Sequence, residues 1–146
     1  MEEIKSLFFK VVGVRNTFFQ CLHTRGGLGP VHPSQGPILA MLFHCGEGSQ
    51  ADIVRKMKVS AATVAVSIAR LEKMGLVSRE RNQANQRAYV LRLTEKGREV
   101  AGEMERTMTE MGRVAMKGFS PEECETLKDY CDRMIQNLQE HYKTKE

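Results

Sequence analysis

Apolar residues return at helical spacing from Glu2 to His23. Ile4, Leu7, Val11, Phe18 and Leu22 lie on one stripe with Val14 or Arg15, and Phe8, Val12 and Phe19 widen it. That period predicts an amphipathic helix, and so broad an apolar surface needs more than one neighbour to cover it. Thr24–Pro33, with three glycines and two prolines, breaks the pattern and reads as a linker. Ser34 then caps a second helix, Gln35–His44, with Pro37 tolerated in its first turn. Ile38, Leu39, Met41, Leu42 and Phe43 make it apolar nearly all round, so it is expected to be central. Gly46 and Gly48 end it.

A short third helix follows over Ser49–Met57, with Ser49 as N-cap and Asp52 in the first turn. Ile53, Val54 and Met57 point inward. Lys58–Val59 is a turn, and Ser60 caps a fourth helix that runs to Met74 and ends at Gly75, a residue free to take a left-handed conformation. Val64, Ile68 and Leu71 face a core. After Gly75 the period changes from helical to two. Leu76–Arg81 and Ala88–Thr94 read as paired strands, joined by the polar loop Asn82–Arg87. Two capped helices around a tight turn, followed at once by a basic hairpin, are the plan of a winged helix-turn-helix.

The pattern then returns to helix. Glu95–Lys117 carries Val100, Met104, Met108, Met111 and Ala115 on one stripe, and Gly118–Phe119 breaks it. Ser120-Pro121-Glu122-Glu123 is a helix start: a cap, proline at the first position, and acids near the positive end of the dipole. The last helix runs to Tyr142, with Cys124, Leu127, Cys131, Met134, Leu138 and Tyr142 as its stripe. The first, fifth and sixth helices offer more apolar surface than one chain of 146 residues easily hides. The expected fold is therefore mainly α with a small β wing. Residues 34–97 form a winged helix-turn-helix DNA-binding lobe, and residues 1–33 and 98–146 form a helical dimerisation region built from both chain ends.

Charge sharpens this. The chain holds 22 Lys+Arg and 18 Asp+Glu. Arg55–Arg98 alone carries eleven cations (Arg55, Lys56, Lys58, Arg70, Lys73, Arg79, Arg81, Arg87, Arg92, Lys96 and Arg98) against Glu72, Glu80 and Glu95, while the remainder is net acidic. A basic block on a helix-plus-wing pattern is the footprint of a phosphate-binding face. No apolar run is long enough to span a membrane, and the N-terminus lacks the pattern of a signal peptide, so a cytoplasmic protein with reduced cysteines is expected. Cys21, Cys45, Cys124 and Cys131 form no CxxC pair. Ser-His-Asp, P-loop, GxGxxG and HExxH patterns are absent, which argues against an enzyme, and no cofactor is expected.

The stretch ARLEKMGLVSRERNQANQRAYVLRLTEKG resembles the MarR family of bacterial transcription regulators. Leu71-Glu72, Gly75-Leu76-Val77, Arg79, Arg81, Leu93-Thr94 and Gly97 occupy that family's pattern, and the order of elements matches over nearly the full length. The resemblance implies a homodimer that binds a pseudo-palindromic operator in double-stranded DNA, acting as a repressor released by a small molecule. The family's wing reads Asp-x-x-Asp-x-Arg; here Asn82, Asn85 and Arg87 stand in those places. The minor-groove arginine is kept, while the carboxylate that orients it becomes an amide, which gives up a charge-assisted bond.

On that reading the DNA-binding residues are Gln50, Ser60, Ala61, Ala62, Thr63, Ser67, Arg70, Arg79, Arg81, Asn85 and Arg87. Thr63 and Ser67, four apart, would both face the major groove. The amides opening the third helix, at Gln50 and Ala51, would meet phosphate. Few arginines or asparagines sit on the recognition helix, so shape and A·T-rich minor groove should carry much of the specificity. Val66 lies where a polar reader is expected; a thymine contact and packing against the wing base fit it equally. A small aromatic or amphipathic effector is expected between the helical layer and the DNA lobe, lined by Arg15, Phe19, His23, Met41 and His44. Two other triggers stay open. Some members of the family sense peroxide with a first-helix cysteine, which Cys21, beside Arg25, could imitate. His23, His32, His44 and Cys45 could make a metal-responsive site, although their spacing is not that of a ligand set. Cys124 and Cys131 read as small core residues.

Overall fold

The computed structural model describes residues 1–24, 29, 31–85 and 88–143. The chain order is α1 (Glu2–Thr24), α2 (Gly36–Cys45), β1 (Glu47–Gly48), α3 (Gln50–Met57), α4 (Ala61–Lys73), β2 (Val77–Arg81), β3 (Tyr89–Leu93), α5 (Glu95–Ala115) and α6 (Pro121–Lys143). This is a mainly α fold with a small β wing. The chain divides into two compact units, Met1–Met111 and Gly112–Glu146.

The core of the first unit gathers Leu22, Val31, Ile38, Leu39, Leu42, Ile53, Val64, Ile68, Leu71, Leu76, Val77, Leu91, Leu93, Ala101 and Met104, with Met111 at its end. Helix α2 is central, as its nearly all-round apolar surface requires. Its start differs from expectation. Ser34 does not cap it: the N-cap is Gln35, without a side-chain cap bond. The Ser34 hydroxyl instead pairs with His32 Nδ1 at 2.8 Å, while the buried Gln35 side chain accepts from the His32 amide at 3.1 Å.

Helix α3 opens on a reciprocal cap. Ser49 Oγ accepts from the Asp52 amide at 3.1 Å, and Asp52 accepts from the Ser49 amide at 3.0 Å. The bond from the Ser49 hydroxyl, then that from its amide, holds the Asp52 carboxyl below the usual aspartate range. Lys58 closes α3 in the left-handed region, φ 53°. Ser60 then caps α4 by accepting from the Thr63 amide at 3.2 Å.

The sheet has three strands in the order β1-β3-β2, all pairs antiparallel. β1 was not foreseen: two residues after Gly46 pair with β3 in the register Glu47↔Arg92 and Gly48↔Leu91. In the wing proper Val77 faces Leu93 and Arg81 faces Tyr89. The Leu-Thr-x-x-Gly stretch knits helix to sheet. Thr94 donates through its hydroxyl to the Gly75 carbonyl at 2.6 Å and accepts from the Gly97 amide at 2.9 Å. The Thr94 amide donates to the Leu76 carbonyl at 3.1 Å. Gly75 has φ 71°, the left-handed turn between α4 and β2.

Helix α1 reaches this core only at its last turns, through Leu22 with Phe18 and Phe19. Ile4, Leu7, Phe8, Val11, Val12 and Val14 are exposed. In the second unit, Ser120 starts α6 as expected: its hydroxyl accepts from the Glu123 amide at 3.2 Å, and its amide donates to the Glu123 carboxylate at 2.7 Å. Leu127, Tyr130, Ile135 and Leu138 are exposed along α6. Cys124 is half-buried and Cys131 exposed, so neither is the core residue its stripe suggested.

Candidate nucleic-acid interface

Helix α4 turns Val64, Ser67, Ile68 and Leu71 to the core. Its other side exposes Ala61, Ala62, Thr63, Val66, Ala69, Arg70 and Lys73. Ser67 is only 7% exposed, which corrects its assignment to the groove-facing side. Spacing of four from Thr63 suggested that side, but Ser67 also lies three after Val64 and four before Leu71, on the buried arc. Thr63 remains exposed, with its hydroxyl 2.8 Å from Ser60 Oγ. Val66 is half exposed and stands on the open side of the helix. Ala69, and Lys73 of the basic block, complete a face of small, apolar and cationic groups.

Cations of the basic block have different fates: Lys56 donates to Cys45 Sγ, Lys96 to the Met74 carbonyl and Arg98 to the Leu93 carbonyl. Others are spent on carboxylates. Arg55 pairs with Asp52. Arg92 donates from Nε to Glu47 at 2.9 Å and from Nη1 to Glu80 at 3.2 Å, clamping β1 to β2 across β3. The bond to Glu47, then the charges of Glu47 and Glu80, raise the Arg92 guanidinium above the ordinary arginine value. Arg79 grips Glu72 of α4 with two bonds, 3.1 and 3.2 Å, and its guanidinium lies 5.5 Å over the Tyr89 ring. Lys58, Arg70, Lys73 and Arg81 make no side-chain hydrogen bond or ion pair among the described residues, and all four are exposed.

At the wing, Asn82 Oδ1 accepts from the Ala84 amide at 2.9 Å. The Asn82 amide donates to the Ala88 carbonyl, and the Ala88 amide to the Asn85 carbonyl, both at 2.9 Å. The amide at position 82 thus makes the turn contact that an aspartate would make. Asn85 is exposed. Arg87, the wing arginine of the sequence reading, lies outside the described residues, as does Arg25. A groove of about 220 Å³ runs between the opening of α3, at Ser49, Gln50 and Ala51, and the wing base, at Arg79, Ala88, Tyr89 and Leu91. Gln50 lines this groove, and Tyr89 is a neighbour the sequence did not flag.

A second cavity, of about 370 Å³, lies in the first unit away from α4. Phe19, Pro33, Gly36, Pro37, Ala40, Met104, Glu105, Met108 and Thr109 line it. Among the five residues expected at an effector site, Phe19 lines this cleft. Arg15, His23, Met41 and His44 are not among its lining. Arg15 stacks over the Phe19 ring at 5.4 Å. His23 is exposed near the end of α1. Met41 packs toward Gly48. His44 Nε2 sits 3.5 Å from the Glu105 carboxylate. The missed lining on α5 had a signal: Met104 with Met108, and Glu105 with Thr109, are pairs at i and i+4 that share a side of one helix.

Cys21 is exposed. Among the described residues, Cys45 Sγ accepts from Lys56 Nζ at 3.4 Å. Among the described residues no three His, Cys, Asp or Glu side chains converge as a metal site. No helix among the described residues is long and apolar enough to cross a membrane.

Comparison with known proteins agrees with this geometry. The sequence model of the MarR family matches residues 31–89. The HTH-type transcriptional regulator YdgJ of Bacillus subtilis is 34% identical over 133 residues, spanning 88% of this chain and 73% of the relative. A MarR family transcriptional regulator of Listeria monocytogenes, solved with a 26mer DNA, superposes with a TM-score of 0.74 at 21% identity, over 94% of this chain and 89% of the other. Bordetella bronchiseptica BpsR, solved in a study of how 6-hydroxynicotinic acid regulates its DNA binding, superposes with a TM-score of 0.73 at 22% identity, over 91% and 98%. At those identities the two solved structures establish the shared fold.

Proposed function

Because the chain belongs to the MarR family of DNA-binding transcription regulators, and not to a class of enzymes, we propose that it binds a pseudo-palindromic operator as a homodimer. In this reading it represses transcription in the cytoplasm and leaves the DNA when a small molecule enters the cleft of Phe19, Met104 and Met108. Residues 34–97 are the reading lobe, and the chain ends, residues 1–33 and 98–146, are the dimerisation region.

The observation that carries the DNA reading is the coincidence of uncommitted cations with exposed surface on one helix and one strand. Arg70 and Lys73 rise from α4 and Arg81 from β2. Phosphate contacts position such a protein, while groove contacts specify the sequence. Ala61, Ala62, Thr63 and Val66 suit thymine methyl groups and close approach better than bidentate readout. Ser60, Gln50 and Arg81 serve phosphates. Asn85 and Arg87, carried over from the family's wing pattern, serve the minor groove. Two half-sites then lie with centres about 10 bp apart, or a multiple of that. The effector half of the reading is supported by a cleft within the size range of small-ligand sites, about 300–1,000 Å³. Gel shifts on the DNA upstream of the protein's own gene, with and without candidate effectors, test the whole. Failure to retard that DNA at low salt would overturn it.

Two substitutions at the wing separate reader from anchor. Arg81→Gln should weaken binding evenly across sequences and reduce the salt slope by about one per half-site. Arg87→Ala should cost about 1–3 kcal/mol on the specific site and flatten the A·T preference beside it. Footprints on operators varied at those flanks decide between the two roles. An Arg87→Ala protein of unaltered affinity would remove the wing from the reading.

Arg79, grouped with the DNA contacts by sequence, acts here as a positioning residue. Its guanidinium is held by Glu72 and Tyr89, so it sets the wing base against α4. Glu72→Gln tests this by sign. Charge alone would make that variant bind DNA more tightly, because a negative group is lost beside the phosphate-binding side. Loss of the bidentate grip should instead weaken binding, by about fivefold, with the salt slope unchanged. Tighter binding would return Arg79 to the list of direct contacts.

A further inference from the structure

We propose that the cleft of Phe19, Met104 and Met108 selects an aromatic or amphipathic monocation over an aromatic acid. This proposal rests on the reading of that cleft as the effector site. Its walls are mostly apolar, and among the described lining residues Glu105 is the charged one. No lysine or arginine is among them. Glu105 and Thr109 form the polar row of α5 beside the apolar row of Met104 and Met108.

A carboxylate-bearing ligand would give up hydration next to Glu105 and find no cation among the described lining residues to offset the loss. A cationic head gains from the same carboxylate, and the Phe19 ring and the polarizable thioethers suit a bulky, weakly hydrated cation. Two neighbours temper the preference. His44 Nε2 lies 3.5 Å from Glu105, and Arg15 lies over the Phe19 ring at 5.4 Å. Neither lines the cleft. Glu105 is also partly open to solvent, so the selection should be severalfold rather than absolute.

The test uses three probes of similar shape on the full chain: benzyltrimethylammonium, its neutral carbon isostere neopentylbenzene, and phenylacetate. Affinity is read from the methyl resonances of Met104 and Met108, assigned by substitution in methionine-labelled protein. The cation should bind about fivefold more tightly than the neutral isostere, and phenylacetate more weakly than either. Glu105→Gln should bring the ratio of cation to neutral probe close to one and leave the neutral affinity unchanged, a control that the cleft is intact. Phenylacetate binding more tightly than the isostere would overturn the proposal. So would a cation preference that survives in Glu105→Gln. If the cation binds as expected but leaves DNA affinity unchanged, the charge selection stands and the effector reading of the cleft fails. If none of the three probes moves Met104 or Met108, there is no ligand site there and both fall.

Discussion

Gly97→Ala should lose about 3 kcal/mol of stability or more, a large share of what a small domain possesses. Gly97 is in the first turn of α5, buried against the start of the wing. A Cβ there would stand 2.9 Å from the Leu76 carbonyl carbon and closer still to its oxygen. That oxygen cannot swing away, because it accepts from the Thr94 amide at 3.1 Å and Leu76 is fully buried. The clash is with backbone, so no rotamer change relieves it. Either α5 separates from the β2–β3 ladder or the ladder opens. Gly112→Ala on the same helix is the matched control. Its Cβ would meet nothing within 4 Å, and alanine should stabilise the helix by about 0.5–1 kcal/mol. Urea unfolding of the two variants checks both signs. A Gly97→Ala protein with the wild-type midpoint would show that the close approach is not a constraint.

Breaking the exposed stripe of α1 should abolish dimers and, with them, tight DNA binding. Leu7 and Val11 are four residues apart, exposed, and remote from the buried residues of the reading lobe. A continuous apolar strip of this kind on a helix is an association surface, and a second copy of the chain is the occupant that the proposed operator symmetry requires. Leu7→Glu with Val11→Glu puts carboxylates into that surface. Sedimentation should change from dimer to monomer at micromolar concentration, while the helical content of α2, α3 and α4 persists. Operator affinity should fall by about a hundredfold or more, because two linked half-site contacts become independent. A wild-type chain that sediments as a folded monomer at that concentration would end the dimer reading. So would a doubly substituted protein that stays dimeric.

Most of the scaffold was legible because its signals are local. Ser49 with Asp52, Ser60 with the Thr63 amide, Ser120 with Glu123, and the left-handed Gly75 act within a few residues of themselves, so their spacing implies the contact. The same holds for the change of period at Gly75 and for the apolar arc Val64, Ile68, Leu71. Ser34 shows the limit of local logic. It has the chemistry of a cap, but His32 claims its hydroxyl and the helix starts later, at Gly36. Ser67 was misplaced although the pattern held the correction, since a residue between Val64 and Leu71 on the buried arc cannot also face outward.

Other features depend on residues distant in the chain. The two residues of β1 have no period of their own; they become a strand because β3 offers an edge, and Arg92 fastens them through Glu47. Counting charge made Arg55–Arg98 strongly basic, eleven cations against three acids. Folding neutralises part of that block, partly with Glu47 and Asp52 from outside it, and leaves Arg70, Lys73 and Arg81 uncommitted. The cleft needed α1, the segment around α2, and α5 to converge before Phe19, Met104 and Glu105 could share a wall. Periodicity, capping chemistry and turn residues therefore specify which elements form and which side of each is apolar, since those forces act over one or two turns. Which cations stay free, which carboxylate faces the cleft, and where a third strand joins follow from packing between elements, where the partner is chosen by distance in space.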